Sequence, residues 1–476
     1  MSTKYNLSKN WIGFLIQNES NRRKDFNSDN ILNTSHKFNS YEAFGGIGDS
    51  TSVYTQIGAN FRITDSVQNN FLKQVSTSKT YYLKANFINS KSSNLSTYIN
   101  YRTVDNISSK DEESLNSKIL YKQQLFNQFL TINTQYQTLS GNLPQQDFSY
   151  FKTEPGQGFY TWIDYNKNGV KELNEFEIAQ FQDQAEYLRI ILPTVNYIAT
   201  YQNKFTQNLI LNPQQWNSKT GIKKILSHFY NQTFLLIDSK QKKEENKISL
   251  NPFRYNDNNL LGLNLNINNS FYFNKGKKQY STTYNFLKSE NKTTTTIDDL
   301  ENQLILHQLK FEHKIGAFWQ LNLDFKKGKN KSNSSNYTNR NYTLSNYTFF
   351  PKLSYYYNKN SYFSMYYEHK NKENTIGGLE LLNQHKIGFS LNILNSSKSL
   401  IKSEINIFNN NFKGINNSPV SYQMLEGLRP GKNYTWSFLY TKKINTYLHL
   451  NINYLGRKSE TSNTIHTGTI QLKALF

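Results

Sequence analysis

Near its carboxy end the chain alternates apolar and polar residues. Tyr434, Trp436, Phe438 and Tyr440 occupy every second position, with Asn433, Thr435, Ser437 and Thr441 between them. After a short turn Leu448, Leu450, Ile452 and Tyr454 alternate with His449, Asn451 and Asn453, and then Ile470, Leu472, Ala474 and Phe476 with Thr469, Gln471 and Lys473. A period of two is the signature of a β-strand. Alternation over about ten residues, closing on an aromatic, suits a transmembrane barrel strand better than a soluble-sandwich strand of roughly five or six.

The same pattern recurs upstream. Strands are predicted at 51–63, 80–88, 95–104, 115–125, 129–139, 195–211, 222–237, 260–273, 280–287, 304–313 and 318–326, and again at 347–357, 362–369, 385–394 and 400–409. The cleanest rows are Leu261, Leu263, Leu265 and Ile267, and Trp319, Leu321, Leu323 and Phe325. The predicted fold class is all-β: a large antiparallel transmembrane β-barrel of about 16–18 strands with a small loop-helix insert. Residues 1–50 read as a polar lead-in with one strand near Trp11–Gln17, residues 51–476 as the barrel, and 155–190 as the insert. The competing architecture is a soluble β-sandwich or propeller, in which the apolar rows point inward and the polar rows meet water.

Composition favours the barrel. Hydrophobic residues make up 36% of 476, and mean hydropathy is −0.72, yet there are 34 Tyr and 32 Phe. That is little apolar material for a buried core of this size and much for a thin lipid-facing band bordered by aromatic girdles. No run approaches the roughly twenty apolar residues of a membrane helix. Residues 1–30 lack a secretory signal pattern, because Asn10, Asn18, Glu19, Arg22, Arg23 and Lys24 surround the one apolar stretch.

The net charge of +21 comes largely from lysines in Asn- and Ser-rich stretches, 239–247, 274–279 and 326–333, which read as solvated turns. Aromatics on strands and lysines in turns do not make the interleaved surface that nucleic acid needs. Lipid and lipopolysaccharide headgroups are the expected partners, with other envelope proteins as further candidates.

With no cysteine in the chain, disulfides and thiolate chemistry are excluded. Gly45–Gly48 reads as a turn and not a phosphate loop, since no Gly-Lys-Ser/Thr follows. The histidines show no helical metal spacing, and His307, His313, His369, His385 and His449 are expected on strands. No nucleophile elbow or catalytic triad can be nominated, so an enzyme is not expected.

One stretch breaks the alternation. Asp164, Asn166, Asn168, Gly169, Val170, Glu172 and Glu175 match positions one, three, five, six, seven, nine and twelve of an EF-hand-type loop. Calcium takes six to eight oxygens. Asp164, Asn166, Asn168 and Glu172 would supply side-chain oxygens, Val170 its carbonyl, and Glu175 a bidentate carboxylate, with Gly169 making the sharp turn. The apolar spacing of Leu173, Phe176, Ile178, Ala179, Phe181, Ala185 and Leu188 predicts a helix after the loop, whereas Gln157–Trp162 reads as a strand before it. The expected object is a single structural calcium loop between strand and helix.

Gly156–Gly169 (GQGFYTWIDYNKNG) and Glu172–Glu177 (ELNEFE), with Met424–Asn433 (MLEGLRPGKN), Tyr454–Lys458 (YLGRK) and Ile465–Gly468 (IHTG), resemble segments of large uncharacterised outer-membrane proteins of Bacteroidota. The resemblance covers about residues 40–476 and implies outer-membrane location and a barrel, without an activity. The expected role is a pore, transport component or envelope scaffold; the alternative is a soluble or surface-exposed calcium-binding β-sandwich of adhesin type.

Overall fold

The computed structural model describes residues 2–7, 9–26, 30–49, 53–243, 250–254, 257–277, 279–395 and 398–474. Its strands are β1 (Ser2–Leu7), β2 (Asn10–Asn21), β3 (His36–Gly48), β4 (Tyr54–Gln68), β5 (Phe71–Asn89), β6 (Ser93–Asn106), β7 (Glu112–Leu125), β8 (Leu130–Lys152), β9 (Tyr160–Trp162), β10 (Phe176–Ile178), β11 (Tyr187–Leu211) and β12 (Phe229–Lys242). They continue as β13 (Leu260–Phe273), β14 (Tyr280–Thr294), β15 (Asp299–Ile315), β16 (Trp319–Ser334), β17 (Tyr342–Tyr356), β18 (Tyr362–Asn374), β19 (Leu381–Asn395), β20 (Ser399–Lys413), β21 (Gly431–Lys443), β22 (Leu448–Ser459) and β23 (Ile465–Ala474). Two short helices, α1 (Ile222–Leu226) and α2 (Pro419–Leu425), interrupt them.

The chain divides into two compact units, residues 1–143 with 197–211 and 233–264, and residues 144–196 with 212–232 and 265–476. Within the first, β1 to β8 pair antiparallel with their sequence neighbours. Within the second, β14 to β23 do the same. The fold class is therefore the all-β, antiparallel one read from the sequence. Strands such as β15, with 17 residues, and β16, with 16, have the length of barrel strands.

In the second unit the registers bring like rows together. Leu353 faces Met365, Met365 faces Phe389, and Phe389 faces Ile405. Met365, Phe389 and Ile405 are 50%, 40% and 52% exposed. On the opposite face Ser354 and Ser364 share a 2.8 Å hydrogen bond and Gln384 Nε2 donates to Asn410 Oδ1 at 2.9 Å, and all four residues are buried. This is the reverse of a soluble sandwich, whose apolar rows would be covered. Aromatic pairs border the apolar row: Phe325 with Phe349 and His369 with His385 at 4.8 Å between centroids on one margin, Trp319 with Tyr355 at 5.1 Å on the other. In β13 the match is looser, since Leu263 is buried.

The two ends of the β15–β22 wall differ. Turns 316–318, 357–361 and 444–447 close one end, and the segments 335–341, 375–380 and 414–430 lie at the other. The last carries α2. Ser418 caps this helix by accepting from Ser421 N at 3.1 Å, Pro419 occupies its first turn, and Glu426 ends it in the left-handed conformation at φ 55. Val420, Met424 and Leu425 of α2 form a buried cluster with Leu344 and Leu382, packed by Tyr342 and Phe412.

Several expectations need correction. Residues 1–50 carry the strand expected near Trp11–Gln17, as part of β2, together with β1 and β3, and the 23 strands among the described residues exceed the number counted from alternation. Gly45–Gly48 belongs to β3; a side chain at Gly46 would meet the Trp11 ring at 2.4 Å, so the glycine leaves room for a cross-strand aromatic. Gly456 does the same for Trp436. Residues 222–226 are helical, their apolar side chains spaced by three and four and exposed. Phe476, expected to end the last strand, lies outside the described residues.

Truncating Leu382 to Ala should destabilise the second unit by about 2–5 kcal/mol, seen as a lower denaturant midpoint. Ile387→Ala, on the exposed row of the same strand, should cost under about 1 kcal/mol; equal effects would contradict this division of faces.

Candidate functional site

The insert is a small β-module. β9 pairs antiparallel with β10 in the register Trp162↔Phe176 and Tyr160↔Ile178, and Tyr187 at the start of β11 pairs with Tyr160. Ile163 N donates to Glu175 O at 3.0 Å and Ala179 N to Phe159 O at 3.0 Å, extending the hairpin at both ends. Phe176 is its centre, stacked on Tyr150 at 4.1 Å and edge-on to Tyr187 at 5.0 Å.

The helix expected after the loop is absent. A 3₁₀ turn at Leu173–Glu175 runs into β10, and a second occupies Gln182–Gln184. Strand alternation here turns Phe176 toward the aromatic cluster and Glu177 toward a partner from another segment. A helix would forfeit both contacts, so tertiary packing overrides local spacing.

The loop connects β9 to β10. Asp164 accepts from Asn168 N (3.2 Å) and Gly169 N (2.9 Å), Asn166 Oδ1 from Asn168 N (3.0 Å), and Asn168 Oδ1 from Val170 N (2.7 Å). The Asn166 and Asn168 amides donate to the two oxygens of Glu172 at 3.1 and 3.2 Å. Glu175 is buried and turned inward, accepting from Trp162 Nε1 at 2.8 Å and Tyr165 N at 3.1 Å. Val170 is exposed. Thus Asn166, Asn168 and Glu172 meet, whereas Asp164 and Glu175 serve the loop's own backbone. Among the described residues no three His, Asp or Glu side chains gather as a metal group.

What local sequence reasoning missed is the docking of this module. Glu177, 1% exposed, receives Arg340 Nη2 at 2.8 Å and Gln423 Nε2 at 3.0 Å, while Tyr165 OH lies 3.4 Å from its other oxygen. Arg340 Nη1 also donates to the carbonyls of Asn174 (2.9 Å) and Phe176 (3.2 Å). Tyr422 OH donates to Ile178 O at 3.1 Å and accepts from Gln180 N at 3.2 Å. Arg457 on β22 pairs with Asp183 at 2.6 Å and lies 4.0 Å over the Phe181 ring. The insert is thereby tied to the 335–341 segment, to α2 and to the polar face of β22.

Electrostatics follow burial. Burial raises the Glu177 carboxyl above its usual range, against the opposing pull of Arg340 and the Gln423 and Tyr165 hydrogen bonds. Burial also pushes the Tyr422 phenol up to about 12 and raises Tyr165. At the end of α2, burial would raise Glu426, but Lys372 and Lys370 outweigh it and hold the carboxyl at about 2. Lys372 Nζ donates to Glu426 and to Met424 O, both at 2.8 Å. What the arrangement supplies is a hold: two chain segments, 155–188 and 414–430, are fixed to each other and to the polar face of the second unit.

Neither a family model nor a curated protein sequence matches the chain. Among solved structures, it is similar to the FrpB iron transporter from Neisseria meningitidis (8% identity, 99% of this chain and 78% of that one, TM-score 0.38). It is also similar to the copper transporter OprC (8%, 95% and 71%, TM-score 0.36) and to the siderophore receptor PiuA from Acinetobacter baumannii (9%, 95% and 74%, TM-score 0.35). At these scores the likenesses carry no functional conclusion.

Replacing Arg340 with Met leaves Glu177 buried without its cation and should weaken module docking by about 3–5 kcal/mol, read as faster proteolysis within 155–188. Arg340→Met with Glu177→Gln should recover part of the loss. Because the folded carboxyl binds its proton more tightly than the unfolded one, Glu177 contributes stability below the ordinary value of 4.5 that is lost as pH rises through the raised value. Glu177→Gln should flatten that fall; an unaltered pH profile would contradict the assignment.

Proposed function

We propose that the strands close into a barrel in the bacterial outer membrane and that the protein acts as a transport component, with 155–188 and 414–430 forming a constriction over the polar face. The observation that carries this reading is the exposure of the Leu, Ile, Phe and Met rows together with the burial of Ser, Asn and Gln rows on the opposite face. Hydrocarbon against the first and water against the second satisfies both. Each apolar side chain withdrawn from water gains about 1.5–3 kcal/mol. Gln384 Oε1, Asn346 Oδ1 and Arg457 Nη1 are buried without a protein partner among the described residues, which suits a wet interior.

The polar face places Lys352, Lys370, Lys372 and Lys386 against Glu368, Glu404 and Glu426, an excess of one cation that favours anions. In planar bilayers the protein should show low conductance with anion preference, raised severalfold by Arg340→Met. Silence from both proteins would rule out the pore and leave the envelope scaffold. This reading assigns no catalysis, and it includes the Bacteroidota kinship and possible envelope partners as proposals.

Within the same reading the 164–175 loop takes a structural calcium ion. A cation between Asn166, Asn168 and Glu172 would turn both amide oxygens toward itself, replacing the amide donors to Glu172 and giving up the backbone N–H bonds those oxygens now accept. Asp164→Ala and Glu172→Gln should each abolish a calcium-dependent rise in melting temperature. A rise that survives both changes, or none in the unaltered chain, would refute the ion.

A further inference from the structure

Beyond the aromatic margin at the long-segment end of β14–β17, the sheet face that carries the apolar rows turns basic. The cross-strand registers place Phe286, His307, Lys327 and Tyr347 in one rank, and Lys288, Ile305, Lys329 and Ser345 in the next. Lys327 and Lys329 are exposed, and Lys288 is half-buried. Lys327 Nζ lies 5.3 Å over the Tyr347 ring.

The acids of these strands are set farther out and engaged: Glu301 pairs with Lys331 at 3.5 Å, and Glu290 accepts from Gln303 at 3.4 Å. In the Lys288 rank the nearest acid is Glu373, beyond Ser345. Strand spacing puts Lys288 and Lys329 about 10 Å apart, with Lys327 about 7 Å along the strand from Lys329. Below them lies an open groove lined by Tyr284, His307, Leu309, Phe325, Phe349 and His369.

A cationic trio above an apolar groove is complementary to an amphiphile with phosphates over acyl chains. In membrane barrels the longer loops face outward and the short turns face the periplasm, which sets this patch in the outer leaflet. A cationic span of about 10 Å also exceeds what one phosphodiester headgroup fills. Resting on the proposed membrane reading, we infer that this surface binds one phosphorylated glycolipid of the lipid A type, its phosphates on Lys288, Lys327 and Lys329 and its acyl chains along the groove.

The test uses the full chain in phosphatidylcholine vesicles, titrated with fluorescent bis-phosphorylated lipid A, its dephosphorylated form, or phosphatidylglycerol. Each lysine near a charged headgroup contributes about a fivefold factor, so Lys288→Gln with Lys327→Gln and Lys329→Gln should weaken lipid A binding on the order of a hundredfold. Dephosphorylated lipid A and phosphatidylglycerol should bind weakly to both proteins. Heat-modifiable gel migration verifies that the triple variant is folded. Unchanged lipid A binding by the folded variant, or equal binding of phosphatidylglycerol, overturns the inference while leaving the membrane reading intact. Failure of the unaltered chain to enter vesicles at all overturns both.

Discussion

A pleated strand sends successive side chains to opposite faces, and cross-strand hydrogen bonding locks that choice for every residue at once. In this protein the consequence is unusual for a structure in water, because the face bearing Met365, Phe389 and Ile405 is the exposed one. A slip of one residue anywhere between β17 and β20 would move those rows onto the face of Gln384 and Asn406. The next-neighbour registers, continuous from β14 to β23, keep the faces separate. The proposed membrane setting and its constriction both follow from that separation.

On the polar face, order comes from fewer and stronger contacts. Glu177 is too buried to stand as a lone charge, and Arg340 meets it while also taking two carbonyls of the same module. Lys372 acts similarly for α2, bonding Met424 O and Glu426 together. Both cations come from outside the segments they hold. The segments are thus fixed by charge pairing together with two small apolar contacts, the Leu344, Leu382 and Met424 cluster and the stack of Phe176 on Tyr150.

Much of the fold was legible because alternation is a local signal: the rows from Trp319 to Phe325 and from Tyr434 to Tyr440 occupy strands as read. At the amino end the strand near Trp11–Gln17 was legible but β3 was not, since Gly45, Gly46 and Gly48 read as punctuation, whereas Gly46 makes space for the Trp11 ring within β3. The helix after the loop was misread because Leu173, Phe176 and Ala179 have helical spacing, while Phe176 instead seeks Tyr150 and Glu177 seeks Arg340. That last pair is separated by 163 residues, beyond any local pattern. The loop's residue spacing was legible, but the backbone hydrogen bonds its side chains make were not.

The account stands on which face meets hydrocarbon, and the absence of native cysteine makes that directly measurable. Single cysteines at Ile387, Ile405, Gln384 and Asn406, spin-labelled in the protein reconstituted in lipid vesicles, report contact with apolar oxygen or with a water-soluble nickel chelate. Labels at 387 and 405 should be relaxed by oxygen and shielded from nickel, with those at 384 and 406 showing the opposite preference. Nickel reaching 387 and 405 as readily as 384 and 406 would contradict the account.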